Sequence, residues 1–197
     1  MGRPKGLLEF GGRPIILRTA RLVEPLVSRV TLIGAPELYA TLGLEIIADR
    51  QFIEAGKNDD RPGALAGIAT ALWVTHTDWN LILACDLPYL SRDWLDWLLA
   101  RTMISNRQVI MPRTSGGLEP LAAVYRRECA RQIITALQWG VRKVTDAMEQ
   151  FPVEFVAESE WRHLDSEGRV LRNMNAPEDY EEARKWMEAR LQKKGAG

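Results

Sequence analysis

Hydrophobic positions along the chain follow two periodicities, one typical of amphipathic helices and one typical of buried strands. Residues 15–24 carry apolar side chains at helical spacing, and Pro25 predicts where this helix ends. Residues 80–85 form a continuous apolar run, which indicates a strand that is buried on both faces. The same patterns predict further helices in 36–42, 65–76, 92–99, 130–137 and 178–191, and further strands in 29–33, 44–48, 107–112, 120–125 and 153–156.

The alternation of strands and helices predicts an α/β fold, with a mostly parallel sheet that is covered by helices on both faces. Ligands bind such sheets beyond the carboxyl ends of the strands, and the candidate chemistry is therefore sought there. A long polar loop over residues 50–63 interrupts the alternation, and loops of this length in compact domains commonly carry function. We expect this loop to line a ligand site.

Composition and charge argue against several classes of protein. The chain has 197 residues, enough for one large domain or for one domain with a small appendage. Lysine plus arginine and aspartate plus glutamate both number 26, so the zero net charge argues against nucleic-acid coating and against a basic membrane-surface domain. No stretch approaches the roughly 20 apolar residues of a membrane span, and the N-terminus lacks the apolar core of a secretory signal. A cytoplasmic protein is therefore expected.

Two charged residues are the first candidates for chemistry. Asp86 directly follows the apolar run 80–85, where a carboxylate can hold Mg²⁺; the alternative is an aspartate that belongs only to the turn before Pro88. Lys5 lies in a stretch rich in arginine, and clustered cations suit an anionic phosphate ligand. The alternative for Lys5 is a solvated chain end.

Three further positions carry weaker signals. Asp49 ends a short predicted strand and could bind a ligand or simply lie at the surface. Gly67 follows Gly63 at the start of a predicted helix, where backbone N–H groups can approach a ligand, although glycine there also serves close packing. Asn173 and Asn175 alternate along an extended segment, so one could bind a metal or phosphate while the other caps the next helix. Capping alone would account for Asn175.

Other kinds of catalytic site find no support in the sequence. His76, on a predicted helix face, and His163, in a polar loop, lack the partner spacing of a zinc site. The chain has no Gly-x-Ser-x-Gly nucleophile elbow and no phosphate loop that ends in Gly-Lys-Ser/Thr. The candidate residues therefore indicate electrostatic chemistry rather than a covalent nucleophile.

Several motifs occur in the order seen in a known family. Residues 1–8, Met-Gly-Arg-Pro-Lys-Gly-Leu-Leu, resemble the second half of a signature that reads Leu-Ala-Gly-Gly, a short variable stretch, and Arg-Met-Gly-x-x-Lys. The remaining motifs are Gly11-Gly12-Arg13-Pro14, residues 62–68, Cys85-Asp86-Leu87-Pro88, residues 119–125 and residues 173–178. Together they span almost the whole chain, which thereby resembles the MobA-like nucleotidyltransferases and, within them, the guanylyltransferases of the molybdenum cofactor.

The resemblance implies a fold and an activity. The implied fold is a three-layer, Rossmann-like nucleotidyltransferase fold in a single domain over residues 1–197. The implied reaction transfers GMP from GTP to molybdenum-bound molybdopterin, with release of pyrophosphate and with Mg²⁺ as the cofactor. The implied partners are GTP and molybdenum-molybdopterin, together with molybdoenzymes or their chaperones, and neither nucleic acid nor a membrane is among them.

The family's roles can be carried onto matching residues of this chain. The resemblance implies that Lys5 binds phosphate and that Asp86 holds Mg²⁺ beside the nucleotide, so these two residues are the expected catalytic pair. It implies that Asp49 contacts the nucleotide and that Gly67 belongs to the GTP-binding helix start. Asn175 matches the place of a second polar metal ligand.

Two departures from the family pattern leave other functions open. The chain begins inside the signature, so the first strand and the Leu-Ala-Gly-Gly loop are expected to be missing, through a late recorded start or a fragment. Gly34 and Ala35 stand where guanylyltransferase relatives often carry asparagine, although the helix entry at 64–67 and the strand start at 119–121 favour the guanylyl branch. The alternatives are a molybdopterin cytidylyltransferase, another NTP transferase such as a sugar-phosphate nucleotidyltransferase, and a truncated, non-catalytic cofactor-binding subunit.

Overall fold

The computed structural model of the chain describes residues 4–52 and 63–195. The chain divides into two compact units, each built from separate stretches of the sequence. The first unit comprises Met1–Val30, Ala84–Asp96 and Arg162–Gly197, and the second comprises Thr31–Leu83 and Trp97–Trp161. A single domain over residues 1–197 stays a prediction.

Strands and helices alternate along most of the described chain. The strands are, in chain order, β1 (Glu9–Phe10), β2 (Arg13–Pro14), β3 (Thr31–Ile33), β4 (Glu45–Ile47), β5 (Trp79–Leu83), β6 (Val109–Thr114), β7 (Gly117–Leu118), β8 (Ala122–Arg126) and β9 (Val153–Ala157). The α-helices are α1 (Ile15–Val23), α2 (Pro36–Tyr39), α3 (Ala64–Val74), α4 (Arg92–Ala100), α5 (Cys129–Gln138), α6 (Val144–Met148), α7 (Glu158–Trp161) and α8 (Pro177–Gly195). The predicted α/β class is confirmed.

The main sheet lies in the second unit and has the strand order β5-β8-β6-β7, with β9 paired to β6. The β6–β9 pair is parallel, and β3 and β4 form a separate parallel pair. Strand β8 departs from the predicted mostly parallel direction, because it runs antiparallel to both β5 and β6. The connection from β6 to β8 is a short return through β7, and so short a connection joins antiparallel strands only.

The core of the second unit forms where α3 and α5 pack together. Leu65, Ile68 and Leu72 recur along one face of α3 at helical spacing and are fully buried, as are Ile133 and Leu137 of α5. The sheet contributes further buried side chains to the same cluster: Val109, Met111, Ala123 and Tyr125. This core holds α3, and with it Gly67, in a defined place in the second unit.

In the first unit, the N-terminal hairpin of β1 and β2 is tied to α8. Gly11 and Gly12 have φ values of 58° and 76°, the left-handed conformation that a two-residue hairpin turn of this kind requires at both central positions. Phe10 packs edge-to-face on Tyr180 with the ring centroids 5.3 Å apart, and the Tyr180 hydroxyl donates to the Glu9 carbonyl at 3.0 Å. This anchoring positions the short turn that precedes the hairpin.

Several predicted element ends are confirmed, and one placement is wrong. Ser91 caps α4 as expected, since its Oγ accepts the Trp94 N–H at 3.3 Å. His76 does not lie on a helix face, because α3 ends at Val74 and the backbone is already extended at Thr75.

Most of the polar loop 50–63, namely residues 53–62, lies outside the described residues, so its role stays a prediction. Among the helices that the structure describes, none has both the length and the apolarity needed to cross a membrane.

Candidate functional site

Three of the predicted site residues meet in the first unit. Lys5 opens a short 3-10 turn, and its Nζ donates to Asp86 Oδ2 at 2.9 Å and to Asn175 Oδ1 at 2.9 Å. The Asp86 side chain is 17% exposed and that of Lys5 is 34% exposed, so the ion pair is partly buried, chiefly on its Asp86 side. One ammonium group thus joins three segments that are far apart in the sequence.

Backbone contacts bring Asp86 and Asn175 to the same place. The Met174 N–H donates to the Asp86 carbonyl at 3.1 Å, which ties the segment before α8 to the loop after β5. The Met174 side chain is fully buried beside Phe10, Ile15 and Met187 in the core of the first unit. Since Met174 anchors this segment, the next residue, Asn175, has a defined position relative to Asp86.

Asp179 anchors the backbone at Asn175, and the sequence analysis did not identify it. Asp179 Oδ2 accepts the backbone N–H groups of both Asn175 and Ala176 at 2.9 Å, and these bonds lower the pKa of the Asp179 carboxyl. These contacts are the carboxylate half of a capping box, whereas the Asn175 side chain contacts Lys5, so capping alone does not account for Asn175. The available signal was Pro177 at the first helical position with an acidic residue two positions later, which resembles half of a capping box.

Two arginines of the segment before α8 form ion pairs with carboxylates of that helix. Arg169 Nη1 lies 2.6 Å from Glu182 Oε1, and Arg172 Nη1 donates to the same oxygen at 2.9 Å. These bonds lower the pKa of the Glu182 carboxyl. Arg172 also reaches Asp179 at 3.4 Å. The backbone around Asn175 is therefore fixed by α8 through more than one contact.

The other two predicted site residues meet in the second unit. A Cβ atom placed on Gly67 would lie 3.5 Å from Asp49 Oδ1, so the glycine leaves the surface of α3 open beside this carboxylate. Burial raises the pKa of the Asp49 carboxyl. The next residue, Arg50, donates its backbone N–H to Thr70 Oγ1 at 3.0 Å, and Thr70 itself donates to the Ala66 carbonyl at 2.9 Å. Thr70 thus attaches the segment after β4 to α3.

Thr70 is a positioning residue that the sequence analysis missed. It is fully buried, and it is a polar residue within the otherwise apolar inner face of α3. A buried hydroxyl normally has hydrogen-bond partners, so a polar residue at such a position signals a contact beyond the helix itself. The pattern could have drawn attention to Thr70 but could not have named Arg50 as its partner.

The oxygen atoms around Lys5 have the chemistry of ligands for Mg²⁺. Carboxylate and amide oxygens are hard donors, and Mg²⁺ in nucleotide sites commonly takes one or two protein ligands and completes its shell with water and phosphate. Asp86 and Asn175 supply one oxygen of each kind in one place. Over residues 4–52 and 63–195, no group of three or more His, Cys, Asp and Glu side chains is placed to hold a metal ion.

A cavity of about 540 Å³ opens elsewhere in the second unit, between the end of α3 and the start of α5. It is lined by Leu72, Trp73, Asp78, Arg126, Arg127, Glu128, Ala130 and Arg131. The Arg126 guanidinium lies 4.3 Å from the centroid of the Trp79 ring and is held against it. The lining includes none of the predicted site residues.

Comparison with known proteins confirms the resemblance that the sequence motifs suggested. Residues 1–162 match the family described as MobA-like NTP transferase domain. A probable molybdenum cofactor guanylyltransferase from Pelotomaculum thermopropionicum is 32% identical over 188 residues, which cover 93% of this chain and 85% of that protein. A molybdenum cofactor guanylyltransferase from Pseudomonas aeruginosa is 31% identical over 179 residues, which cover 90% of this chain and 84% of that protein.

Solved structures show the same fold. The molybdopterin-guanine dinucleotide biosynthesis protein A from Archaeoglobus fulgidus superimposes with a TM-score of 0.78 at 22% identity, over 95% of this chain and 92% of that one. The 2-C-methyl-D-erythritol 4-phosphate cytidylyltransferase from Thermus thermophilus gives a TM-score of 0.67 at 16% identity, over 94% of both chains. These likenesses confirm the predicted Rossmann-like α/β nucleotidyltransferase fold.

Proposed function

Because the chain belongs to the family of MobA-like NTP transferase domains and is a nucleotidyltransferase, we propose that it transfers GMP from GTP to molybdenum-bound molybdopterin. The names of the relatives from Pelotomaculum and Pseudomonas support guanylyl transfer to the molybdenum cofactor. The observation that carries the proposal is the meeting of Lys5, Asp86 and Asn175 around one ammonium group. This arrangement suits a reaction between two phosphate-bearing substrates.

The proposed reaction exchanges one phosphorus–oxygen bond for another. A terminal phosphate oxygen of molybdopterin attacks the α-phosphorus of GTP, and the bond from that phosphorus to the α,β-bridging oxygen breaks. The bridging oxygen keeps the electron pair and leaves with pyrophosphate. The attacking oxygen is already anionic near neutral pH and needs no strong base, so the main obstacle is the repulsion between two anions.

Lys5 and Asp86 have complementary roles against this repulsion. The Lys5 ammonium donates hydrogen bonds to phosphate oxygens and neutralises the charge that develops on the departing pyrophosphate. Asp86, with Asn175 as a second ligand, would hold Mg²⁺, while phosphate and water complete the metal's coordination. A divalent ion held by Asp86 and Asn175 would supply positive charge that offsets the repulsion between the phosphate groups.

Asp49 and Gly67 form the proposed nucleotide contact of the second unit. The Asp49 carboxylate accepts hydrogen bonds from N–H or O–H groups of the nucleoside, and Gly67 leaves room for the nucleoside to approach. Molybdoenzymes or their chaperones are the partners that would receive the finished cofactor, and a cytoplasmic location remains part of the proposal.

The direct test uses the full chain, Mg²⁺, molybdenum-molybdopterin and either GTP or CTP. The expected result is a guanine dinucleotide product, with one pyrophosphate released for each product molecule, from GTP only. Product formed from CTP alone would support the cytidylyltransferase alternative instead. Cofactor binding without any pyrophosphate release would support a non-catalytic binding subunit.

A further inference from the structure

We infer that Lys5 and the divalent cation compete for the same two oxygen atoms, so that cation binding releases the Lys5 ammonium to bind phosphate. The inference rests on the proposed function, because it assigns the metal to Asp86 and Asn175. Lys5 Nζ lies 2.9 Å from Asp86 Oδ2 and 2.9 Å from Asn175 Oδ1. One oxygen of each candidate ligand is therefore engaged by the same amine.

The Lys5 ammonium and Mg²⁺ cannot both bind Asp86 Oδ2 and Asn175 Oδ1 at the same time. An ammonium group donates from about 2.8–2.9 Å, whereas Mg²⁺ binds oxygen at about 2.0–2.1 Å and requires nearly octahedral geometry. Two positive groups that share these contacts would also repel each other in a partly buried position. Cation binding at this pair of oxygens therefore requires the Lys5 ammonium to leave.

Lys5 is the member of the trio that can move. Asn175 is held through the Asp179 carboxylate and through its neighbour Met174, which is fully buried. The Met174 N–H also bonds to the Asp86 backbone, so both oxygens lie on segments that are tied together. The Lys5 ammonium ends a flexible four-carbon stem, and its side chain is one-third exposed. Displacement therefore moves the amine and leaves the oxygens in place.

The exchange couples the two ligands of the site. An ammonium group that has lost both acceptors is available to a new anionic partner, and a polyphosphate supplies one. Cation and polyphosphate should therefore favour each other's binding, and the cation alone should bind weakly because it must first displace Lys5. This exchange makes the site bind a metal–nucleotide complex more tightly than the free metal ion.

The first experiment measures binding of Mn²⁺ alone to the full chain, from the electron paramagnetic resonance signal of the free ion. Lys5→Met keeps the apolar stem and removes the competing charge, so Mn²⁺ affinity should rise about tenfold or more. Arg92→Met is the matched control, since it breaks an exposed Arg–Asp pair of 2.8 Å in the same unit and frees Asp96. This control should change the affinity less than about twofold, because an exposed carboxylate by itself is a weak site.

Two further variants locate the effect. The gain in Lys5→Met should disappear in the double variant Lys5→Met/Asp86→Ala, and it should shrink in Lys5→Met/Asn175→Ala. Thermal unfolding checks that each variant is folded. Equal affinities in wild type and Lys5→Met would overturn the inference, as would equal gains in Lys5→Met and Arg92→Met.

The second experiment observes the amine directly. The ¹⁵N signal of the Lys5 ammonium, assigned by its loss in Lys5→Met, should shift when Mg²⁺ is added without nucleotide, and should shift again when tripolyphosphate follows. A Lys5 signal that stays unchanged at saturating Mg²⁺ would overturn the exchange. Neither measurement uses GTP or molybdopterin, so a failure of GMP transfer and a failure of this inference are distinguishable.

Discussion

The carboxylate of Asp179 accepts the backbone N–H of Asn175 at 2.9 Å. Asp179 thereby anchors the backbone at Asn175, while the Asn175 Oδ1 accepts a hydrogen bond from Lys5. A residue in the first turn of α8 thus holds the backbone that carries a candidate metal ligand.

The Asp86 carboxylate is the proposed metal ligand, and Asp86→Ala tests it. We expect turnover to fall at least about a hundredfold, because the loss of one such electrostatic contact commonly removes about 3–4 kcal/mol of transition-state stabilisation. Pyrophosphate release under saturating GTP measures the effect, and circular dichroism checks the fold. Asp96→Ala, which removes an exposed carboxylate of the same unit, should retain its activity. Near-normal turnover in Asp86→Ala would contradict the metal role.

The capping role of Asp179 predicts a pH dependence of stability. Two backbone N–H groups, from Ala176 and Asn175, lower the pKa of this carboxyl in the folded chain. A lowered pKa contributes stability above the pKa of the unfolded residue, and this contribution is lost as pH falls through the lowered folded value. Asp179→Asn should therefore melt at a lower temperature than wild type near neutral pH, and the difference should vanish in strong acid. Thermal unfolding across pH measures this, with Glu178→Gln as the control.

Gly67 is proposed to leave room for the nucleotide beside Asp49, and Gly67→Ala tests this role. The added methyl group would lie 3.5 Å from Asp49 Oδ1, which is ordinary van der Waals contact, so the fold should tolerate it. Alanine also stabilises a helix interior by roughly 0.5–1 kcal/mol relative to glycine. Stability should therefore stay equal or rise, while the KM for GTP rises. An unchanged KM would remove Gly67 from the nucleotide site.

Thr70 holds the backbone next to Asp49, and Thr70→Val removes its hydroxyl with little change of volume. The Arg50 N–H would lose its acceptor, which should lower the free energy of unfolding by about 1–3 kcal/mol. Urea unfolding measures the loss. If Thr70 also positions Asp49, then the KM for GTP should rise more than kcat falls. Thr75→Val, which removes an exposed hydroxyl just past the same helix, is the control.

The amino-acid pattern predicted most of the local structure correctly. Helix α1 ends at Val23 before Pro25, and β3 and β4 lie within their predicted ranges, because these choices depend on neighbouring residues alone. His76 was misplaced because its spacing fits a helix, whereas α3 ends at Val74 and the backbone turns extended at Thr75, with a ψ of 156°. The antiparallel direction of β8 depends on how the chain returns from β6, which apolar periodicity does not encode.

At the candidate site, residue type and position identify the chemical groups, whereas packing between distant segments determines which of these groups meet. Motif order singled out Lys5, Asp86 and Asn175, since a phosphate-binding amine and hard oxygen donors can be recognised from residue type and position. Their meeting depends on contacts between residues 5, 86 and 175, which lie far apart in the chain and are brought together by a shared core. The hydrogen bond between Lys5 and Asn175 was likewise decided in three dimensions, because residue type and spacing do not encode which amide oxygen the Lys5 amine reaches.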